Sequence, residues 1–405
     1  MRILWISPRQ CWPPNSGAKL RDYYCARAIG QIAQLTYVHF LEPEANPPTS
    51  TDMPFCKRII SVKKPRPYTA WNVIRGLVGP SPLPILNYFS KEMATVLEQL
   101  SEHENFDSVH LESIHMSSYE ALFSNPRRVR IPSVYDWHNI ESEAMRRYSV
   151  EVRSLAKRFY AISTARRLQT FERAILQIAF GHIVCSRREE EQLMARVPGA
   201  RITTVPNGVD TSFFAQAKAE VRWPPKSIIF VGAMNYYPNI EAAIFFVHDV
   251  WRRLRALFPA CRLTLVGSDP VPAVVALRNI EGVEVTGTVE DVRRFYHDAD
   301  IAVAPLRLGG GTRLKILEAM AAGVPVISTS VGAEGLEVDP GRSILIADER
   351  ESESWTRAVL SLGESKRRRE KLVSAAMQLV RERYDWTVIG KLLCDTYLDW
   401  FGCVR

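Results

Sequence analysis

Ala304-Pro-Leu-Arg-Leu-Gly-Gly-Gly-Thr-Arg-Leu-Lys-Ile-Leu-Glu-Ala-Met-Ala-Ala-Gly-Val-Pro-Val-Ile-Ser328 is the stretch on which the fold depends. Ile301-Ala-Val-Ala304 leads into it as a short apolar strand, and beyond Thr312 the spacing of Leu314, Leu317 and Ala321 predicts a helix that Gly323-Val-Pro ends. The join between strand and helix is Gly309-Gly310-Gly311. Three glycines in a row carry no Cβ, so successive N–H groups can turn toward one point, and Thr312 is placed to cap the helix behind them. The helix N-terminus contributes partial positive charge. Arg313 and Lys315 add two formal charges in the first turn, where cations are ordinarily unfavourable, so an anion is expected to offset them. Glu318, roughly two turns beyond Gly311, is at a distance that suits a pair of sugar hydroxyls. These groups describe a site for a diphosphate joined to a ribose. The bland alternative is a flexible glycine turn followed by a solvated helix glutamate.

Working outward, the 405 residues are 46% hydrophobic, without low-complexity tract or internal repeat, which fits two domains of ordinary size. No apolar run reaches the roughly 18–20 residues of a membrane helix, and Met1-Arg-Ile-Leu-Trp-Ile-Ser7 is short for a signal peptide, so a cytoplasmic chain is expected. Seven scattered cysteines without a Cys-x-x-Cys pair argue against a disulfide framework or a zinc site. The net charge of +8 favours anionic partners in general, and no nucleic-acid-binding signature accompanies it.

The remaining chain reads as alternating strands and helices. Arg2 to Ser7, Leu35 to Phe40, Arg58 to Val62, Asp107 to Glu112, Pro132 onward, His182 to Ser186 and Arg201 to Val205 are strands, with a short helix expected near Trp71. In a doubly wound sheet, ligands sit outside the carboxyl ends of the strands, so His110, Glu112, Asp136 and His138 are expected to face one cleft as catalytic candidates. The alternative for each is a cap on the following helix. Asn139 to Gln177 reads as one long or broken helix in which arginines and Lys157 alternate with Leu155, Phe159 and Ile162. It is either a solvated face or a surface that rests on anionic lipid. After Pro206-Asn-Gly-Val-Asp210 the rhythm repeats: strands at Ser227 to Val231, Arg262 to Val266, Val283 to Thr286, Asp300 to Ala304, Val324 to Ser328 and Ser343 to Ile346. Gly232 and Gly267 each end a strand, where a backbone can approach a ligand closely.

Glu318-Ala-Met-Ala-Ala-Gly-Val-Pro-Val326 resembles the donor-binding region of retaining glycosyltransferases of the GT-B fold, the large nucleotide-sugar-dependent family also called group 1 or family 4-like. Gly310 stands where that family often has a first glutamate. Pro206-Asn-Gly-Val-Asp210 and Gly332-Ala-Glu-Gly-Leu336 resemble it as well, and Asp136-x-His138-Asn139-x-Glu141 resembles one branch. Its His-x-His is here His110-Leu-Glu112, with His115 three residues on.

The resemblance implies an α/β protein of two Rossmann-like doubly wound domains. Residues 1–206 would form the acceptor side, completed by a C-terminal helix over 386–405 that crosses back, and residues 207–385 the nucleotide-sugar side. It implies donor contacts from Gly17, Gly232, Thr288, Gly310, Gly311, Thr312, Arg313, Lys315 and Glu318. It further implies transfer with retention to a hydroxyl of a glycan or lipid-linked saccharide, with neither metal nor cofactor and with the nucleotide-sugar as co-substrate. Contact with the inner face of an anionic membrane is compatible with this reading. Two alternatives stay open: a sugar-nucleotide epimerase of the same architecture, and a non-catalytic nucleotide-binding scaffold.

Overall fold

A computed structural model describes residues 1–66, 76, 79, 81–123, 130–152, 154–215, 222–308 and 313–402. It contains two compact units: Met1–Pro206 with Ile389–Arg405, and Asn207–Val388.

The first unit is built on seven strands: β1 (Arg2–Ser7), β2 (Gln34–Leu41), β3 (Cys56–Lys63), β4 (Ser108–Glu112), β5 (Ser133–Trp137), β6 (Gly181–Val184) and β7 (Ile202–Thr204). Their order is β3-β2-β1-β4-β5-β6-β7, with every neighbouring pair parallel. β1, β4, β5 and β6 are almost wholly buried, as strands covered by helices on both faces must be, which is why they read as continuous apolar runs and not as alternating patterns. The principal helices are α1 (Gly17–Ile29), α2 (Lys91–His103), α3 (Glu141–Glu151), α4 (Leu155–Ile178) and α5 (Arg187–Arg196). Ser90, Ser154 and Ser186 cap α2, α4 and α5, each accepting a bond from the third residue of its helix. The long or broken basic helix expected over 139–177 is the broken one, two helices, because Val152 turns extended and Ser154 starts a new one. The helix expected near Trp71 lies outside the described residues.

The second unit holds β8 (Ser227–Val231), β9 (Arg262–Val266), β10 (Val283–Gly287), β11 (Ile301–Ala304), β12 (Val326–Ser328) and β13 (Leu345–Ile346). Their order is β10-β9-β8-β11-β12-β13, again parallel throughout. Its main helices are α6 (Tyr237–Phe245), α7 (Arg293–Asp298), α8 (Leu314–Ala321), α9 (Ser352–Ser361) and α10 (Lys366–Arg383). The last helix, α11 (Trp386–Phe401), starts in this unit and ends in the first.

Both sheets are doubly wound, and each reverses direction once: at β1/β4 and at β8/β11. Chain connections leave a switch point in opposite directions, so the loops after those strands open a crevice there. Ser7 and Glu112 end the strands at the first switch point, while Gly232 and the segment after Ala304 follow the strands at the second.

Candidate functional site

At the second switch point, α8 begins one residue later than the glycine run suggests. Arg313 occupies the N-cap position, its side chain makes no capping bond, and the buried face consists of Ile316, Leu317, Ala319, Met320 and Ala321. Of the expected stripe, Leu317 and Ala321 are buried while Leu314 is only half-buried, and Ile316 and Met320 join the core face. Gly309, Gly310, Gly311 and Thr312, the expected phosphate loop, lie outside the described residues. The chain entering it is pinned, since Thr329 Oγ1 donates to the Leu306 carbonyl and accepts from the Gly332 N–H at 2.7 Å. This gives the Gly332-Ala-Glu-Gly-Leu336 segment a structural task.

Lys315 is half-buried, and its ammonium donates to Asn239 Oδ1 at 2.6 Å and lies 4.6 Å from the centre of the Phe230 ring. Asn239 is held in turn by a 2.9 Å bond to the Ala233 carbonyl. A Cβ on Gly232 would stand 2.7 Å from Lys315 Nζ and 2.8 Å from Asn239 Nδ2, closer than non-bonded atoms tolerate. A side chain at 232 would therefore push the ammonium and the Asn239 amide out of these positions. Gly267 is required for a similar reason, because its Cβ would meet the Gly232 carbonyl oxygen at 1.7 Å. Burial and the neighbouring Arg313 pull the Lys315 ammonium down to about 7, against the opposing pull of Glu318. Glu318 accepts a 3.0 Å bond from the Tyr296 hydroxyl, and burial raises its carboxyl against Tyr296 and Lys315. It is thus an oriented, half-buried carboxylate and not a solvated one. Thr288 is exposed on the turn after β10, beside Gly287 with φ +76°. Asn239, Phe230 and Tyr296 were not singled out from sequence. Asn239 sits in a Pro-Asn pair at a helix start, which sequence reading assigns to turn chemistry, and Tyr296 comes from a different helix.

At the first switch point the structure brings His110, Glu112, Asp136 and His138 together. His110 Nε2 is 3.0 Å from Glu112 Oε2, and His138 Nε2 is 2.5 Å from Glu112 Oε1. His110 Nδ1 is 2.6 Å from the Tyr397 hydroxyl on α11, and the His110 ring stacks on Trp5 at 3.5 Å between ring centres. Asp136 receives Arg21 Nε at 2.9 and 3.0 Å, and the same guanidinium donates to the Val205 carbonyl at 2.9 Å. The expectation that all four face the cleft is corrected for three of them: the side chains of His110 and Glu112 are 0% exposed, as is that of Asp136, against 13% for His138. Burial alone would raise the Glu112 carboxyl, but the His138 charge and the bonds from His110 and His138 outweigh it and hold Glu112 well below the usual carboxylate range. Glu112 accepts from both imidazoles through their Nε2 atoms, so this contact engages one of the two ring nitrogens of His138.

His110, Glu112 and Asp136 each place one potential ligand atom within 4.8 Å of the others, which is a geometry a metal ion can use. Arg21 already supplies the positive charge to Asp136, so a cation there would compete with it. Around His138 stand His115, bonded through Nδ1 to Ser113 Oγ at 2.6 Å and kept neutral by burial with a pKa of about 3, and Glu141, raised by burial to about 6 against His138 and Arg9. Ser113 has φ +77°, a strained backbone for a non-glycine residue, at the turn that presents His115. Gly17 is the exposed first residue of α1, whose N-cap Ser16 makes no side-chain bond.

Residues 37–213 match the model of Glycosyltransferase Family 4 and residues 225–365 that of Glycosyl transferases group 1. Glycogen synthase of Mycobacterium tuberculosis is 24% identical over 243 residues, 58% of each chain. Phosphatidyl-myo-inositol mannosyltransferase of Mycobacterium leprae is 24% identical over 205 residues, 49% of this chain and 54% of that one. The chain thus matches little more than half the length of these relatives. Among solved structures, sucrose-phosphate synthase from Thermosynechococcus elongatus superposes with a TM-score of 0.70 at 17% identity, covering 99% of this chain and 100% of that one. Anabaena HepE in complex with UDP superposes with a TM-score of 0.66 at 16% identity, covering 98% and 100%. With one glycosyltransferase model matched in each unit and each unit built on its own doubly wound parallel sheet, the chain belongs to the GT-B glycosyltransferases.

Proposed function

We propose that this protein transfers a sugar, with retention, from a nucleotide-diphosphate-sugar to a hydroxyl of a saccharide or lipid-linked acceptor, without a metal or other cofactor. The observation that carries the reading is the seat of Lys315: a cation held by an amide oxygen and an aromatic face, with a glycine cleared to admit it, at the mouth of a helix. Such a group serves a diphosphate. Lys315, Arg313 and the amides at the start of α8 would offset the charge that builds on the diphosphate as its bond to the anomeric carbon breaks, a task that a divalent ion performs in other transferases. The Glu318 carboxylate, fixed by Tyr296, would take two ribose hydroxyls, and the turn carrying Thr288 would meet the base. The acceptor oxygen then bonds to the anomeric carbon from the face the diphosphate leaves, and its proton passes to the departing phosphate oxygen. The UDP bound in the HepE structure supports a nucleotide donor.

In the first unit, His138 is the member of the buried network that reaches solvent, and its Nδ1 is the atom offered to a substrate hydroxyl. His110, Glu112, Asp136, Arg21 and Tyr397 hold it in place. A panel of UDP-, GDP- and ADP-sugars tests the reading: slow release of free sugar with unchanged anomeric configuration is expected for one donor. Lys315→Ala should cost about 2–4 kcal/mol of transition-state stabilisation. Full turnover by that variant, or binding of every nucleotide-sugar without turnover, would overturn it.

A further inference from the structure

Helices α3 and α4 pack as an antiparallel hairpin whose buried side comprises Ser142, Ala161, Thr164, Ala165 and Leu168. Several described side chains on either side of its tip are exposed. Val150 is 77% exposed at the end of α3, and Leu155 and Phe159 are 79% and 77% exposed at the start of α4, followed by the exposed Ile162. Leu155, Phe159, Ile162 and Arg166 fall at i, i+4, i+7 and i+11, which places all four within one narrow arc, and Arg173 continues the same line. The arc lies opposite the face that Ala161, Thr164, Ala165 and Leu168 bury. An outward stripe is thus apolar for its first two turns, roughly 10 Å along the axis, and cationic beyond them.

Arg146, Lys157 and Arg158 flank the tip; they and Arg166 are exposed, and none has an ion-pair partner among the described residues. The acids on the inner side of the hairpin are already used: Glu143 by Arg147 and Arg188, Glu172 by Arg196.

We infer that the α3–α4 tip inserts into the interfacial layer of an anionic bilayer, with Leu155, Phe159 and Ile162 at the acyl boundary and Arg146, Lys157, Arg158 and Arg166 at the headgroups. The length of the apolar segment matches the ~5–10 Å depth to which interfacial helices sink, and the exposed cations choose an anionic surface over a neutral one. Water gives no return for holding a phenylalanine and a leucine outward side by side, and a protein partner of the same shape would need acidic groups that a phospholipid headgroup already supplies. The inference stands apart from the donor chemistry, because vesicle binding requires no turnover.

Co-sedimentation of the full chain with phosphatidylcholine vesicles, with and without 30 mol% phosphatidylglycerol, tests it. Binding is expected on the anionic vesicles alone and should weaken as salt rises. Phe159→Ser with Leu155→Ser should remove most of it. Lys157→Ala with Arg158→Ala should lower it roughly thirtyfold, from about fivefold per lost cation. Both pairs are solvent-exposed, so thermal melting close to the parent confirms that each variant is folded. No binding of the parent to anionic vesicles, unchanged binding by the Ser pair, or a parent that is a dimer in solution and becomes a monomer in the Ser pair would each overturn the inference, the last by assigning the stripe to a second copy of the chain.

Discussion

Nucleotide binding should draw a proton from solution. In the free protein the Lys315 ammonium titrates at about 7, because burial and Arg313 disfavour its charge. A diphosphate placed against it restores the charge, so its pKa in the complex returns toward the ordinary lysine value of ~10.4. The sign follows from which state binds more protons. Between these two values the complex holds a proton that the free protein has lost, so affinity is complete below pH 7 and falls as pH rises through and beyond it. At pH 8 about 0.9 proton should be taken up per nucleotide bound, and between pH 7 and 9 the affinity should fall about fiftyfold, or about 2.3 kcal/mol. Titration calorimetry with the cognate nucleoside diphosphate, at pH 8 in two buffers of different ionisation enthalpy, measures the uptake directly. Lys315→Met should bind more weakly and show no uptake. Equal binding enthalpies in the two buffers, or equal affinities at pH 7 and 9, would refute the assignment of the diphosphate to this lysine.

Gly232→Ala should raise the donor KM at least tenfold with little change in thermal stability of the first unit, since the added methyl competes for the space of Lys315 Nζ; steady-state kinetics check it. Tyr296→Phe removes one bond to a carboxylate and should cost about 1.5–3 kcal/mol in donor affinity, read by the same calorimetry. His138→Ala should lower kcat tenfold or more and leave the urea midpoint near the parent, whereas His110→Ala should lose about 2–4 kcal/mol of stability with its Trp5 stack and two bonds. Asp136→Asn leaves the Arg21 charge buried without its counter-charge and should destabilise by about 3–5 kcal/mol in urea unfolding.

Most of the fold was legible because parallel strands buried on both faces must be apolar throughout. Arg2–Ser7, Ser227–Val231 and Arg262–Val266 appear at the residues their hydrophobicity predicts. Gly232, Lys315 and Glu318 also stand out in the sequence, since a glycine at a strand end and cations at a helix start are locally costly and need a reason. What sequence could not give is depth. His110, Glu112 and Asp136 look like ligands of a substrate because they are polar at a strand's carboxyl end, yet Arg21, Tyr397 and Trp5 arrive from distant segments and enclose them. The same limit hid Tyr296 and Asn239, whose roles exist only once separate helices meet α8.

Helix α11 gives the chain an order of assembly. Tyr397 completes the first unit, yet everything from Asn207 to Val388 lies between it and the rest of that unit. On a ribosome the continuous second unit has all its parts before the first does, and the His110 network must wait, exposed or loosely closed, for the last helix to emerge. Quality-control proteases would therefore sense loss of that helix in the amino-terminal half of the molecule, far along the sequence from the cut.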